Sequence, residues 1–215
     1  MNELIDSLMV LLVLMNLRLL GSSRLAACIR TVAIEGIALG LLPLGLAWSR
    51  GLSGQLIFLA VASVLIRGVL FPRLLLRAQR EANVRRELEP FLGYPLSMLA
   101  GVLTLVLSLW LCSRMPLPQT DLPALLVPVA LSTILVGLLV LVTRRLAISQ
   151  VLGYLVMENG IYVLALALVR EIPILVELGV LLDAFVAVFV MSIATHQISR
   201  EFDHIDADQM DALKD

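Results

Sequence analysis

The feature that most constrains this chain is the recurrence of apolar runs long enough to cross a bilayer. A spanning helix needs about 20 mostly apolar residues, because each residue advances about 1.5 Å through a hydrocarbon layer about 30 Å thick. Runs of that kind lie near 4–22, 31–49, 55–76, 93–113, 123–143, 146–169 and 174–198. Charges, glycines and prolines separate them: Arg24 and Arg30, Arg50-Gly51, Arg73 to Pro90, Arg114 to Pro123, Arg144-Arg145, and Arg170 to Pro173. The expected fold class is therefore all-α, a polytopic membrane helix bundle of about seven transmembrane helices. A composition of 60% hydrophobic and 15% charged residues agrees, since a soluble domain carries about 25% charged residues to wet its surface.

Loop charges set the expected orientation. With the N-terminus outside, the inner segments hold Arg18, Arg24, Arg30, Arg73, Arg77, Arg80, Arg85, Arg86, Arg144, Arg145, Arg200 and Lys214. The outer segments hold Arg50, Arg114 and Arg170. Twelve against three follows the rule that basic loops stay cytoplasmic, which places the C-terminus in the cytoplasm. The first residues are acidic, with no Ala-x-Ala site after them, so the first span is expected to remain rather than be cleaved. The connection 77–90 carries both signs of charge and reads as a solvated inner loop or a surface facing a partner.

Ionisable groups inside a span cost about 2.5–3.5 kcal/mol each on insertion scales, so their presence asks for a reason. Four sit away from span ends: Glu35, Arg67, Glu158 and Asp183. Counting about 1.5 Å per residue from the cytoplasmic edge puts Glu35 roughly 6 Å deep, Arg67 roughly 14 Å, Glu158 roughly 18 Å and Asp183 roughly 22 Å. Glu158 and Asp183 then share a level near the midplane, on consecutive antiparallel helices. Two carboxylates in a low dielectric cannot both ionise cheaply, a property that a proton relay uses. Arg67 is placed to act on such a group by Coulomb attraction. Bland readings stand beside these: hydrogen-bonded packing roles for Glu158 and Asp183, an interfacial salt bridge between Glu35 and Arg30, and a structural Arg67–Glu35 bridge. Glu177 and His196 are secondary candidates, more simply interfacial and solvated. Asp6, Asn16 and Arg18 lie near the ends of the first span and need no special role.

Other chemistry finds little support in the residues. A net charge of −1 gives no basic field for nucleic acid. Cys28 and Cys112 are far apart with no histidine nearby, which argues against a disulfide or metal site. No phosphate loop and no nucleophile–base pair is present, so no catalytic or cofactor-binding residue is assigned. Helices 1–3 and 5–7 enter with the same orientation, and each trio carries an acid beside a glycine in its middle helix: Glu35-Gly36 and Glu158-Asn159-Gly160. A parallel duplication is one reading of this pair. From the residues alone, a transporter, a pump subunit and a membrane anchor all remain open.

Several stretches resemble the hydrogenase 4 component E family. They are Gly-Tyr-x-x-Met-Glu-Asn-Gly at 153–160, Val176-Glu177-Leu178-Gly179, Asp183-Ala184-Phe185-Val186-Ala187-Val188, and the ending from Asp206 to Leu213-Lys214. Ile66-Arg67-Gly68-Val69-Leu70-Phe71-Pro72 is similar to the family's basic-x-Val-Leu-x-Pro pattern, with arginine where lysine is expected. Residues 123–215 resemble, more distantly, subunit K of NADH:quinone oxidoreductase, with Glu158 about one turn from that subunit's acid and Asp183 in place of a glutamate. The resemblance implies two regions, residues 1–117 with four helices and 118–215 with a subunit-K-like trio and cytoplasmic tail. It implies a membrane-arm subunit of a formate-hydrogenlyase-type complex in the bacterial inner membrane. Its partners would be antiporter-like and other membrane subunits and a peripheral nickel–iron hydrogenase arm. The nickel–iron centre and iron–sulfur clusters would belong to those partners, and this chain would hold no cofactor and no metal and perform no catalysis by itself. Glu158, Asp183, Glu35 and Arg67 would contribute to a proton path. The alternatives are a subunit of a multisubunit cation/proton antiporter and a structural scaffold of the complex.

Overall fold

A computed structural model describes residues 2–47, 54–81, 91–115 and 123–168, and every regular element among them is helical. In chain order these are α1 (Asn2–Gly21), α2 (Leu25–Ala47), α3 (Gly54–Leu65), a π turn (Ile66–Leu70), α4 (Phe71–Glu81), α5 (Tyr94–Arg114), α6 (Leu126–Thr143) and α7 (Ala147–Leu168). α3, the π turn and α4 follow one another without a break, so the described residues form six helical rods. The expected span 174–198, with Glu177, Asp183 and His196, lies outside the described residues.

Four helices are long and apolar enough to cross a membrane: Leu25–Gly45, Tyr94–Arg114, Leu126–Thr143 and Ala147–Ala167. The chain is a multi-pass membrane protein. The other two expected spans within the described residues are helical but less uniformly apolar. α1 carries Glu3, Asp6 and Arg18, and the third rod is interrupted by Arg67 in its π turn. That rod also continues to Glu81, five residues past the expected end of the span, so the inner connection begins as helix. The extension is strongly amphipathic: Phe71, Leu75 and Ala78 are buried while Arg73, Arg77 and Arg80 are exposed on the opposite stripe.

Glycines set two close helix contacts among the described residues. A Cβ on Gly153 would lie 2.7 Å from the Leu141 backbone nitrogen, and one on Gly160 would lie 2.6 Å from that of Ile134. Gly137 faces Met157 and Gly153 in the same seam. This register runs antiparallel and brings α6 and α7 nearly backbone to backbone, the close approach that small residues allow when no hydrophobic force drives helices together in lipid. A second seam joins α2 to the third rod, where Gly36 meets Arg67, Gly40 meets Val64 and Gly68 meets Ile37. At the turn between α6 and α7, Arg144 donates from Nη2 to the Leu20 carbonyl at 2.9 Å and stacks 4.6 Å from the Tyr94 ring. Arg145 lies 4.4 Å from the Phe91 ring. One turn is thereby fastened to the end of α1 and the start of α5.

The interior has three layers. One apolar cluster gathers Leu19, Leu20, Cys28, Val32, Phe71, Val136 and Val156 toward the arginine-rich end. Another gathers Met9, Leu12, Leu39, Ala130, Tyr162 and Leu166 toward the other end. Between them, at matching heights, lie the buried polar groups of α1, α2, α6 and α7: Asn16, Glu35, Thr133, and Glu158 with Asn159.

Candidate functional site

The polar layer is centred on Arg67, and local sequence explains how it comes to point inward. Pro72 has no N–H to donate to the Gly68 carbonyl, and its ring would press on that carbonyl in a regular α-helix. The chain avoids the clash by widening the preceding turn: Phe71 N–H donates to the Ile66 carbonyl, five residues back. Such π turns recur at functional sites. Gly36 completes the setting, because a Cβ there would stand 2.7 Å from the Arg67 Cβ. Without a side chain at 36, the rod settles against α2 and the Arg67 side chain extends across to α7.

There it meets two neighbours in sequence. Arg67 Nη2 lies 3.0 Å from Glu158 Oε1 in a salt bridge, and Nη1 donates to Asn159 Oδ1 at 3.1 Å. The guanidinium also stacks over Tyr162, one turn along α7, at 4.7 Å from the ring centroid. Arg67 is 5% exposed, Glu158 2% and Asn159 4%. Burial of this degree matters because a charge pair removed from water is held by direct contact alone, with no screening. The pair joins the third rod to α7, not to α2: the expected Arg67–Glu35 bridge is replaced by Arg67–Glu158.

Glu35 is 0% exposed. The polar group beside its carboxyl is the Asn159 amide, but neither Glu35 oxygen and not the Asn159 Nδ2 makes a geometrically formed hydrogen bond among the described residues. The expected interfacial pair with Arg30 is absent; Arg30 is exposed on the second turn of α2. The expected shallow depth of Glu35 is also corrected. α2 begins at Leu25 rather than at 31, so Glu35 stands ten residues from its start and twelve from its end at Ala47. Glu35 therefore belongs to the same layer as Glu158. The order of groups is Glu35, Asn159, Arg67, Glu158, with the Asn159 side chain between Glu35 and Arg67.

Asn16 is another departure. Instead of lying idle near a helix end, it is 3% exposed and donates from Nδ2 to Thr133 Oγ1 at 2.9 Å, tying α1 to α6 in this layer. Thr133 itself donates to the Val129 carbonyl at 2.8 Å. A sequence signal existed for this pair only in retrospect: Asn16 and Thr133 are the polar breaks halfway between two apolar stripes. Of the expected proton-path residues, the structure brings Glu35, Arg67 and Glu158 together. Asp183, Glu177 and His196 fall outside the described residues. No group of three or more histidine, cysteine, aspartate or glutamate side chains with metal-binding geometry occurs among the described residues.

Beside Arg67 lies a narrow cleft of about 10 Å³, floored by Gly36, Arg67, Glu158 and Asn159. That is space for about one water molecule.

Comparison with known proteins places the chain in a family. Residues 125–215 match the family model described as NADH-ubiquinone/plastoquinone oxidoreductase chain 4L, a stretch that includes α6, α7 and Glu158. Hydrogenase-4 component E of Escherichia coli K12 is 32% identical over 162 residues, 74% of this chain and 74% of its own length. The protein of that name from Shigella flexneri matches equally. An uncharacterized protein of Mycobacterium tuberculosis is 32% identical over 205 residues, 95% of this chain and 93% of its own. No solved structure matches. The chain is a multi-pass membrane protein of the hydrogenase-4 component E family, related through its C-terminal half to NADH-quinone oxidoreductase chain 4L.

Proposed function

We propose that this chain is a membrane-arm subunit of a multisubunit hydrogenase complex, and that its polar layer carries protons within the bilayer. The observation that carries this reading is the enclosure of two carboxyls and one guanidinium in an apolar bundle, with Asn159 between Glu35 and Arg67. Arginine stays charged at any relevant pH. With both acids ionised the cluster would hold one uncompensated negative charge, at a cost of several kcal/mol in so buried a place. Neutrality is reached with one proton on the pair of acids. When Glu158 takes that proton its hold on Arg67 weakens, and Glu35 is the acid left to balance the guanidinium. A cluster that exchanges one proton by moving one cation between two acids is a relay element.

In this reading the bundle has seven spans with the N-terminus outside and the C-terminus in the cytoplasm of a bacterial inner membrane. Asp183 and Glu177 on the last span extend the path toward antiporter-like neighbours, and His196 stands at its cytoplasmic end. Residues 118–215 form the subunit-K-like trio. Electron transfer takes place in the partner subunits, at a nickel–iron centre and iron–sulfur clusters. What supports the assignment is family membership together with the placement of Glu158 in the chain-4L-like region.

The test has two parts. A tagged chain isolated in mild detergent should bring with it a nickel–iron hydrogenase subunit; recovery with antiporter subunits alone would favour an antiporter complex instead. Glu35→Gln and Glu158→Gln should each uncouple proton movement from hydrogen evolution in the assembled complex. A structural scaffold predicts that both behave as wild type.

A further inference from the structure

The cleft beside Arg67 has a direction. On α2 its lining runs from Gly36 back through Ala33 and Val32 to Ile29. Seven residues of helix cover about 10 Å. On the third rod it runs from Arg67 forward through Phe71 and Pro72 to Leu75, and on α7 from Glu158 back to Leu155. α2 is followed toward its start, the third rod toward its end, and α7 toward its start. Because these helices alternate in direction, all three walls lead to the same end of the bundle. That end carries exposed Arg24, Arg30, Arg73 and Arg80. The walls are apolar, and the polar groups sit only on the floor.

The geometry points to a water path: we infer that this cleft is the route by which water from the arginine-rich, cytoplasmic face reaches Arg67, Asn159 and Glu158. The inference rests on the relay reading for its purpose but not for its test. As it stands the cleft has space for about one water beside Arg67, too little for a file along its length, so the path conducts when its apolar walls part and wet, as hydrophobic constrictions do. Water entering it finds donors on Arg67 and acceptors on Glu158, which hold it at the floor. A proton then passes from bulk to Glu158 along hydrogen-bonded water with no side chain needed in the walls. The π turn contributes by setting Phe71 and Pro72 on one wall, directly after the residue the path serves.

The experiment measures water access directly. In a background with Cys28 and Cys112 replaced by serine, single cysteines are placed at Ala33 and Val32 on the cleft wall and at Ile34 on the outer face. Ile34 is 45% exposed at the same height, whereas Ala33 is 8% exposed. Silver ion, close to water in size, reacts with thiolate, and thiolate forms only where water reaches. Assembled complex in inverted vesicles and in right-side-out vesicles is exposed to silver nitrate, then denatured, and the remaining thiols are counted with a maleimide. The inferred path predicts that Ala33→Cys, and Val32→Cys should the first variant fail to assemble, react at least ten-fold faster than Ile34→Cys from the cytoplasmic side. Wall cysteines that react as slowly as Ile34→Cys, or faster from the opposite side, overturn it. Slow wall cysteines with an uncoupled Glu158→Gln complex would remove this route and leave the relay. Fast wall cysteines with a normally coupled Glu158→Gln complex would keep the water path and remove the relay.

Discussion

Replacing Arg67 by methionine tests the buried pair at the centre of the site. Methionine keeps much of the length and the contact with Tyr162 but removes both donors, those at 3.0 Å to Glu158 and 3.1 Å to Asn159. Glu158, 2% exposed, loses the cation it is paired with while staying buried. Removing one partner of a buried pair costs about 3–5 kcal/mol, and loss of the cation over the Tyr162 ring adds about 1 kcal/mol. The unfolded reference in a membrane or micelle finds other polar partners, which lowers such figures. We therefore expect a loss of about 3 kcal/mol at the lower end of the buried-pair range. The companion variant is Arg67→Met with Glu158→Met, which removes both charges and should return to within about 1–2 kcal/mol of wild type, since apolar replacement of a whole buried pair is often neutral. The assay is reversible unfolding of the purified chain by dodecyl sulfate in mixed micelles, followed by helical circular dichroism. An Arg67→Met loss below about 1 kcal/mol, with the double variant simply additive, would refute the claim that Arg67 and Glu158 form a coupled buried pair.

Two further outcomes follow from the packing. Gly153→Val places a branched side chain where a Cβ already approaches the Leu141 nitrogen at 2.7 Å; backbone cannot yield as a side-chain tip can, so the α6–α7 seam should open and stability fall by about 3 kcal/mol or more, read by the same unfolding assay. Arg144→Gln removes the bond to the Leu20 carbonyl and the stacking on Tyr94; a loss of about 2 kcal/mol is expected from the charged hydrogen bond, with cysteine crosslinks between α1 and α6 weakened as a second readout.

The all-helical, membrane-spanning character of the chain and the burial of Glu35, Arg67 and Glu158 were legible in the sequence because both follow from hydropathy, a local property. α5, α6 and α7 lie within a few residues of the expected spans, and Glu35, Arg67 and Glu158 all prove buried. Their relations to one another were not legible. Depth counted from the residue after Arg30 made Glu35 shallow, whereas an arginine tolerated on an exposed early turn lets α2 begin six residues sooner, at Leu25. The partner of Arg67 depends on a π turn, which rotates the side chain relative to a regular helix; hydropathy carries no trace of it, and the Gly68–Pro72 spacing is the signal that was there to read. Asn16 looked unremarkable because one amide in a 20-residue helix has no periodicity. Its meaning came from Thr133, 117 residues away. The glycines beside the two acids had suggested a duplication. In the structure Gly36 and Gly160 both receive a neighbouring helix, and that contact is what fixes each acid in the interior.

The central claim, that Glu158 passes protons, is tested most directly by proton movement per hydrogen evolved in inverted vesicles carrying the assembled complex. Glu158→Gln retains shape and the acceptor for Arg67 but can no longer exchange a proton, while Glu158→Asp retains the proton and shortens the reach. Glu158→Gln is expected to evolve hydrogen from an artificial electron donor yet to lose at least ten-fold in protons moved, and Glu158→Asp to keep a measurable part. Normal proton movement by a fully assembled Glu158→Gln complex would contradict it, and the polar layer would then be a structural tie between helices.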